Sequence, residues 1–142
     1  MRTRSAGIVF NDQGDVLLIL RRKAGREYAT LPGGGIEPGE TPAEACAREV
    51  LEEVNLTVDV GPEVLVLDNL GNHEHYFLTR HARGEMRLGD GPEGTVRQSE
   101  ENHYAPQWVA LDRLDAVNLV PQQARALVRG LAPAQDDKEV EQ

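Results

Sequence analysis

Gly33-Gly34-Gly35-Ile36-Glu37-Pro38-Gly39-Glu40, followed at once by Thr41-Pro42-Ala43-Glu44-Ala45-Cys46-Ala47-Arg48-Glu49-Val50-Leu51-Glu52-Glu53-Val54-Asn55-Leu56, is the stretch that decides how the rest of the chain is read. Its three consecutive glycines predict a loop that continues neither as a helix nor as a regular strand, because glycine loses the most freedom on ordering. Thr41 and Glu44, three residues apart, predict a reciprocal capping box, and Pro42 falls at the first helical position, where its missing N–H costs nothing. A helix therefore begins here. At about 100° per residue, Ala43, Cys46, Ala47, Val50, Leu51 and Val54 gather on one side, while Glu49, Glu52 and Glu53 share an arc on the other. Asn55 then suits a left-handed C-terminal cap.

Carboxylates at i, i+3 and i+4 on one helical face repel one another by roughly a few tenths of a kcal/mol per close pair. A bound magnesium ion offsets that repulsion, being a hard cation that prefers oxygen ligands and shares them with waters and substrate phosphates. Backbone carbonyls at Gly34 and Gly35, freed from regular pairing, are candidates for a further ligand. Taken alone, an acidic face with Arg48 beside it reads as solvated surface. The fixed spacing from the glycine bend to the acidic arc is what points to a site instead.

That spacing resembles the Nudix family. Gly34 is followed after five intervening residues by Glu40 and, after seven more, by Arg48-Glu49-Val50-Leu51-Glu52-Glu53-Val54-Asn55-Leu56. The one departure is Asn55 in place of the closing glycine, a mild change because asparagine also adopts the left-handed conformation. The resemblance implies an α-β-α sandwich, a mixed β-sheet between helices, with a loop-helix-loop metal site. It implies that Glu52 and Glu53 bind Mg2+ (or Mn2+), that Glu49 binds metal or acts as base, that Arg48 orients Glu49, and that Glu40 braces the loop. It implies a pyrophosphohydrolase that cleaves a nucleoside diphosphate linked to a variable group X. Similar enzymes often draw a base from a late loop, for which Glu93, Glu100 and Glu101 are the candidates. Relatives are often homodimers.

The remaining chain is expected to form one domain over residues 1–132 and a flexible acidic tail over 133–142. Ser5 to Asn11 and Val16 to Leu20 flank the turn-rich Asp12-Gln13-Gly14-Asp15 and predict an opening β-hairpin, with Arg21 to Glu27 as a polar connection. Leu56 to Leu70, interrupted at Gly61-Pro62, predicts either one bulged strand or two strands joined by a tight turn. His73 to His81 continues as a strand, Arg83 to Asn102 as a long surface loop, and Gln107 to Leu111 as a short strand. Pro121 to Arg129 predicts a helix stopped by Gly130.

A net charge of -9 and a pI near 4.9 disfavour a nucleic-acid binder, which needs a basic face for phosphates. No stretch approaches the length of a membrane span and the N-terminal apolar run is too brief for a signal peptide, so a cytoplasmic protein is expected. An acidic chain that binds phosphates needs divalent cations and local arginines. Arg21, at a strand end, is the best placed of Arg21, Arg22 and Arg26 to meet a phosphate. Tyr28 and Tyr104, flanked by polar residues, are candidate substrate contacts, whereas Trp108 and Phe77 are better explained by core packing.

His73 and His75 point to one strand face; two imidazoles without a third ligand read as polar surface rather than a zinc site. The single Cys46 faces the core as a structural thiol. That placement disfavours a prenyl diphosphate isomerase, which needs an exposed cysteine. Intact Glu49, Glu52 and Glu53 argue against a third reading, a nucleotide-sensing or protein-binding module without turnover.

Overall fold

The computed structural model describes residues 2–87 and 102–133. Among these residues seven strands and two α-helices form two sheets with a helix on either side. Strands β1 (Arg2–Ile8), β4 (Gly33–Gly35), β5 (Thr57–Asn69) and β6 (Asn72–Arg83) make a four-stranded mixed sheet in the order β4-β1-β6-β5. Within it only the β1/β6 pair runs parallel. Strands β2 (Val16–Lys23), β3 (Arg26–Thr30) and β7 (Asn102–Val109) make a three-stranded antiparallel sheet in the order β3-β2-β7. Helix α1 spans Pro42–Val54 and helix α2 spans Gln123–Leu131.

The run Val16 to Ile19 lacks polar alternation because β2 is buried on both faces, the pattern expected of a strand covered from two sides. Leu17 and Ile19 join Cys46, Val50 and Val54 of α1 in one apolar cluster. Val16 and Leu18 face the other way, toward Leu114, Leu119, Ala124 and Val128 under α2. The sandwich thus has one core on each side of its sheets. Among the described residues no helix is long and apolar enough to cross a membrane.

Three expectations need correction. The opening segment is not a regular hairpin: β1 and β2 belong to different sheets, and the pairing is confined to the turn beyond β1, through the Phe10–Val16 bridge, the Leu17 N–H bonded to Val9 O at 2.9 Å and the Asn11 N–H bonded to Asp15 O at 3.0 Å. The polar connection Arg21 to Glu27 is instead a hairpin of its own, with Ala24 and Gly25 at φ 52° and 78° making the two-residue turn. The triple glycine is strand β4, paired antiparallel with β1 through Ser5–Gly34 and its neighbours. A Cβ at Gly33 would stand 2.4 Å from Ser5 O and 2.7 Å from Ala6 Cα, so only glycine allows that backbone approach.

Elsewhere the elements follow the sequence more closely. Leu56 to Leu70 is the single bulged strand β5, with register shifts on both sides of Glu63. The last strand starts earlier than Gln107 and ends at Val109, with Leu111 opening a 3-10 turn, and α2 starts at Gln123 and runs through Gly130 to Leu131. The expected tail from residue 134 onward lies outside the described residues.

Candidate active site

Helix α1 is fixed at both ends by local chemistry. The Thr41 hydroxyl accepts the Glu44 N–H at 3.1 Å while the Glu44 carboxylate accepts the Thr41 N–H at 2.8 Å, so the capping box is complete. Ser5 Oγ donates to Pro42 O at 2.7 Å, tying the helix start to β1. At the other end Asn55 sits at φ 64°, ψ 28°, its N–H bonded to Leu51 O and its side-chain amide to Glu85 O at 2.8 Å. Asparagine does there what glycine does elsewhere.

Arg48 is the hub of the acidic face. Its guanidinium donates to both oxygens of Glu40 at 2.6 and 2.8 Å, and to Gly35 O at 2.9 Å. Nη1 reaches Glu49 Oε1 at 2.6 Å and the two Glu52 oxygens at 3.2 and 3.1 Å. These bonds hold the Glu40 carboxyl well below its ordinary range, at about 2, with Arg48 the main cause and the Glu37 N–H the next. They raise the guanidinium's own affinity for its proton, through Glu40 first. Gly35 O, read from sequence as a free carbonyl, is therefore already engaged.

Glu49 is the carboxylate set apart. Its Oε2 lies only 1.6 Å from where a Gly34 Cβ would stand, so the absence of a side chain at Gly34 is the space Glu49 fills. Burial pushes its pKa up, outweighing the guanidinium beside it. Glu52, by contrast, has half of its side-chain surface exposed. The role of Gly34 as a cradle was missed in the sequence, where a glycine in a run of three signals only backbone freedom.

Among the described residues no three His, Cys, Asp or Glu side chains already stand together as ligands for one ion. Instead Glu49 and Glu52 are gathered around the chain's own cation, Arg48 Nη1. The donor chemistry nevertheless suits a hard divalent ion: carboxylate oxygens from one helical arc, two of whose members already converge on positive charge.

A second group of residues comes together across three strands. Arg21 on β2 pairs in register with Tyr28 on β3 and with Tyr104 on β7. Its Cζ lies 5.4 Å from the Tyr28 ring centre and 4.1 Å from that of Tyr104, and Nη2 donates to the Tyr104 hydroxyl. Tyr104 is more buried than its polar neighbours suggest, with 4% of its surface exposed. Arg21 Nε is buried with no hydrogen-bond partner among the described residues. Glu93, Glu100 and Glu101 lie outside the described residues.

Cys46 is fully buried and its thiol is pushed up to about 12 by desolvation, which suits packing and not reactivity.

Two sheets between helices, with an acidic helix entered through a glycine strand and its arginine tied back to that entry, define an α-β-α sandwich. The chain belongs to the Nudix family: the NUDIX domain matches residues 1–130. Proteins of this family generally work with divalent metal ions. An RNA pyrophosphohydrolase of Halorhodospira halophila is 51% identical over 86 residues, covering 58% of this chain and 44% of that protein. An oxidized purine nucleoside triphosphate hydrolase of Danio rerio is 33% identical over 84 residues, covering 58% and 49%. The chain thus spans about half the length, or less, of the curated relatives it matches. The crystal structure of a MutT NUDIX hydrolase from Burkholderia pseudomallei superposes with a TM-score of 0.66 at 25% identity, covering 92% of this chain and 97% of that one.

Proposed function

We propose that this protein is a magnesium-dependent pyrophosphohydrolase that cleaves a nucleoside diphosphate linked to a further group X, acting in the cytoplasm from one domain over residues 1–132. The observation that carries this reading is the Arg48 hub, which joins Gly35 O, Glu40, Glu49 and Glu52 into one charged array along the acidic face of α1.

Glu52 and Glu53 are the residues that would hold magnesium, with Glu49 as a third ligand or as the base. When bound, the ion neutralises the diphosphate oxygens and makes an attacking water more acidic. Arg48 positions Glu49 and, through Gly35 O, keeps β4 docked against the middle of α1. Glu49, kept half-buried in the Gly34 cradle, holds a proton more readily than an exposed glutamate, the property a base at this position needs. Glu100 and Glu101 are alternative bases from the late loop.

Arg21 is the proposed anchor for a substrate phosphate. Its buried Nε is a charged donor that gains from an anionic partner, and Tyr28 and Tyr104 flank it as aromatic walls. The names of the two curated relatives support a nucleotide carrying a phosphate chain as the substrate class.

The experiment is a magnesium-supplemented panel of nucleoside triphosphates, sugar nucleotides, dinucleoside polyphosphates and coenzymes, scored for monophosphate release. A Glu53→Gln variant is expected to lose most turnover of the best substrate. Parental turnover in that variant rejects the metal assignment.

A further inference from the structure

The strand face that carries His73 and His75 has an organisation the helix chemistry does not use. His73 Nδ1 lies 2.8 Å from Asp68 Oδ1, and His75 Nδ1 lies 2.8 Å from Glu63 Oε1. Each carboxylate comes from β5, the neighbour of β6, so both rings are oriented across the same strand pair. A carboxylate that accepts from one ring nitrogen fixes the tautomer and leaves Nε2 as the lone-pair nitrogen, free to face a metal. Both imidazoles are therefore prepared in the same sense. The two rings stand 5.0 Å apart between centres at an interplanar angle of 84°.

That separation has a chemical meaning. A zinc–imidazole bond is about 2.0–2.1 Å, and the ring centre lies about 1 Å beyond the nitrogen on the same line. Two imidazoles on one tetrahedral ion thus place their centres about 5 Å apart. The perpendicular rings are compatible with this, since each ring turns freely about its own metal–nitrogen axis.

We propose that His73 and His75 form a second cation site, selective for a borderline divalent transition metal such as zinc and separate in its ligands from the glutamates of α1. Imidazole nitrogen favours zinc, nickel and copper, whereas magnesium keeps to oxygen, so the two sites sort cations by chemistry. Among the described residues no third side chain completes the site. Two imidazoles supply its protein ligands and water fills the remaining positions, which makes the ion exchangeable. His73 is partly exposed, leaving a path for entry.

The test titrates zinc into the full chain with magnesium present in excess, following the imidazole C–H resonances. His73 and His75 are expected to shift together and to saturate at one equivalent. His81 is an internal control: Asp59 backs its Nδ1 at 2.7 Å, but among the described residues it belongs to no such ring pair. It is expected to respond only at higher zinc. His75→Gln is expected to abolish the tight equivalent. The exposed Asp68→Asn keeps both imidazoles and is expected to weaken zinc about 10- to 100-fold. The proposal is overturned if His73 and His75 titrate no earlier than His81, or if Asp68→Asn and His75→Gln both bind zinc as the parent does. No activity is read, so the outcome is independent of the hydrolase proposal.

Discussion

Replacing Gly34 by alanine tests the candidate site where it is most specific. The new Cβ would stand 1.6 Å from Glu49 Oε2 and 2.4 Å from its carboxyl carbon. To reach ordinary contact at 3.4 Å, the carboxylate must retreat by about 1.8 Å. The obstacle is the end of a flexible side chain, so the fold adapts. Its cost falls on the 2.6 Å bond from Arg48 to Glu49 Oε1.

A catalytic group misplaced by about 1 Å costs about 100-fold in rate, which is about 2.7 kcal/mol of barrier. Gly34→Ala is therefore expected to lower kcat by about two orders of magnitude while the thermal midpoint falls by only a few degrees. Gly33→Ala is the contrast. Its Cβ meets Ser5 O at 2.4 Å and Ala6 Cα at 2.7 Å, both rigid parts of β1. Such overpacking costs about 1–3 kcal/mol or more of stability. Steady-state hydrolysis and thermal unfolding on the two variants separate the effects. Parental kcat in Gly34→Ala would refute the placement of Glu49, and equal destabilisation by both variants would refute the cradle.

Further outcomes follow from the same geometry. Glu40 titrates at about 2 instead of its ordinary 4.5, so its bond to Arg48 stabilises the fold above pH 4.5 and is lost as pH falls toward 2. Glu40→Gln should be less stable than the parent at neutral pH and converge on it in acid, as measured by urea unfolding at stepped pH; a constant gap would contradict this. Asn55→Ala is expected to cost about 1–2 kcal/mol for its left-handed backbone, beyond what Asn55→Gly costs through the lost bond to Glu85 O. Equal melting of the two would remove the strain argument. Arg21→Gln is expected to raise KM about 10- to 100-fold with kcat little changed, the pattern of a lost phosphate contact. A fall in kcat at constant KM would place Arg21 in the chemical step instead.

What the sequence by itself determined is local. The capping box at Thr41 and Glu44, the left-handed Asn55 and the acidic arc of α1 depend on residues within one or two helical turns, so spacing alone specifies them. The box from Gly34 to Leu56 carried the family in the same way. Strand partnership was not legible, because pairing joins residues far apart and the alternation that marks a face disappears in a strand such as β2, buried on both sides. Only the tertiary structure separated β1 from β2, turned the triple glycine into β4, and set Arg21 between Tyr28 and Tyr104. It also decided the electrostatics: Glu49 differs from Glu52 because one enters the space left by Gly34 and the other stays in water. That contrast is a property of packing between a helix and a strand that no local spacing encodes.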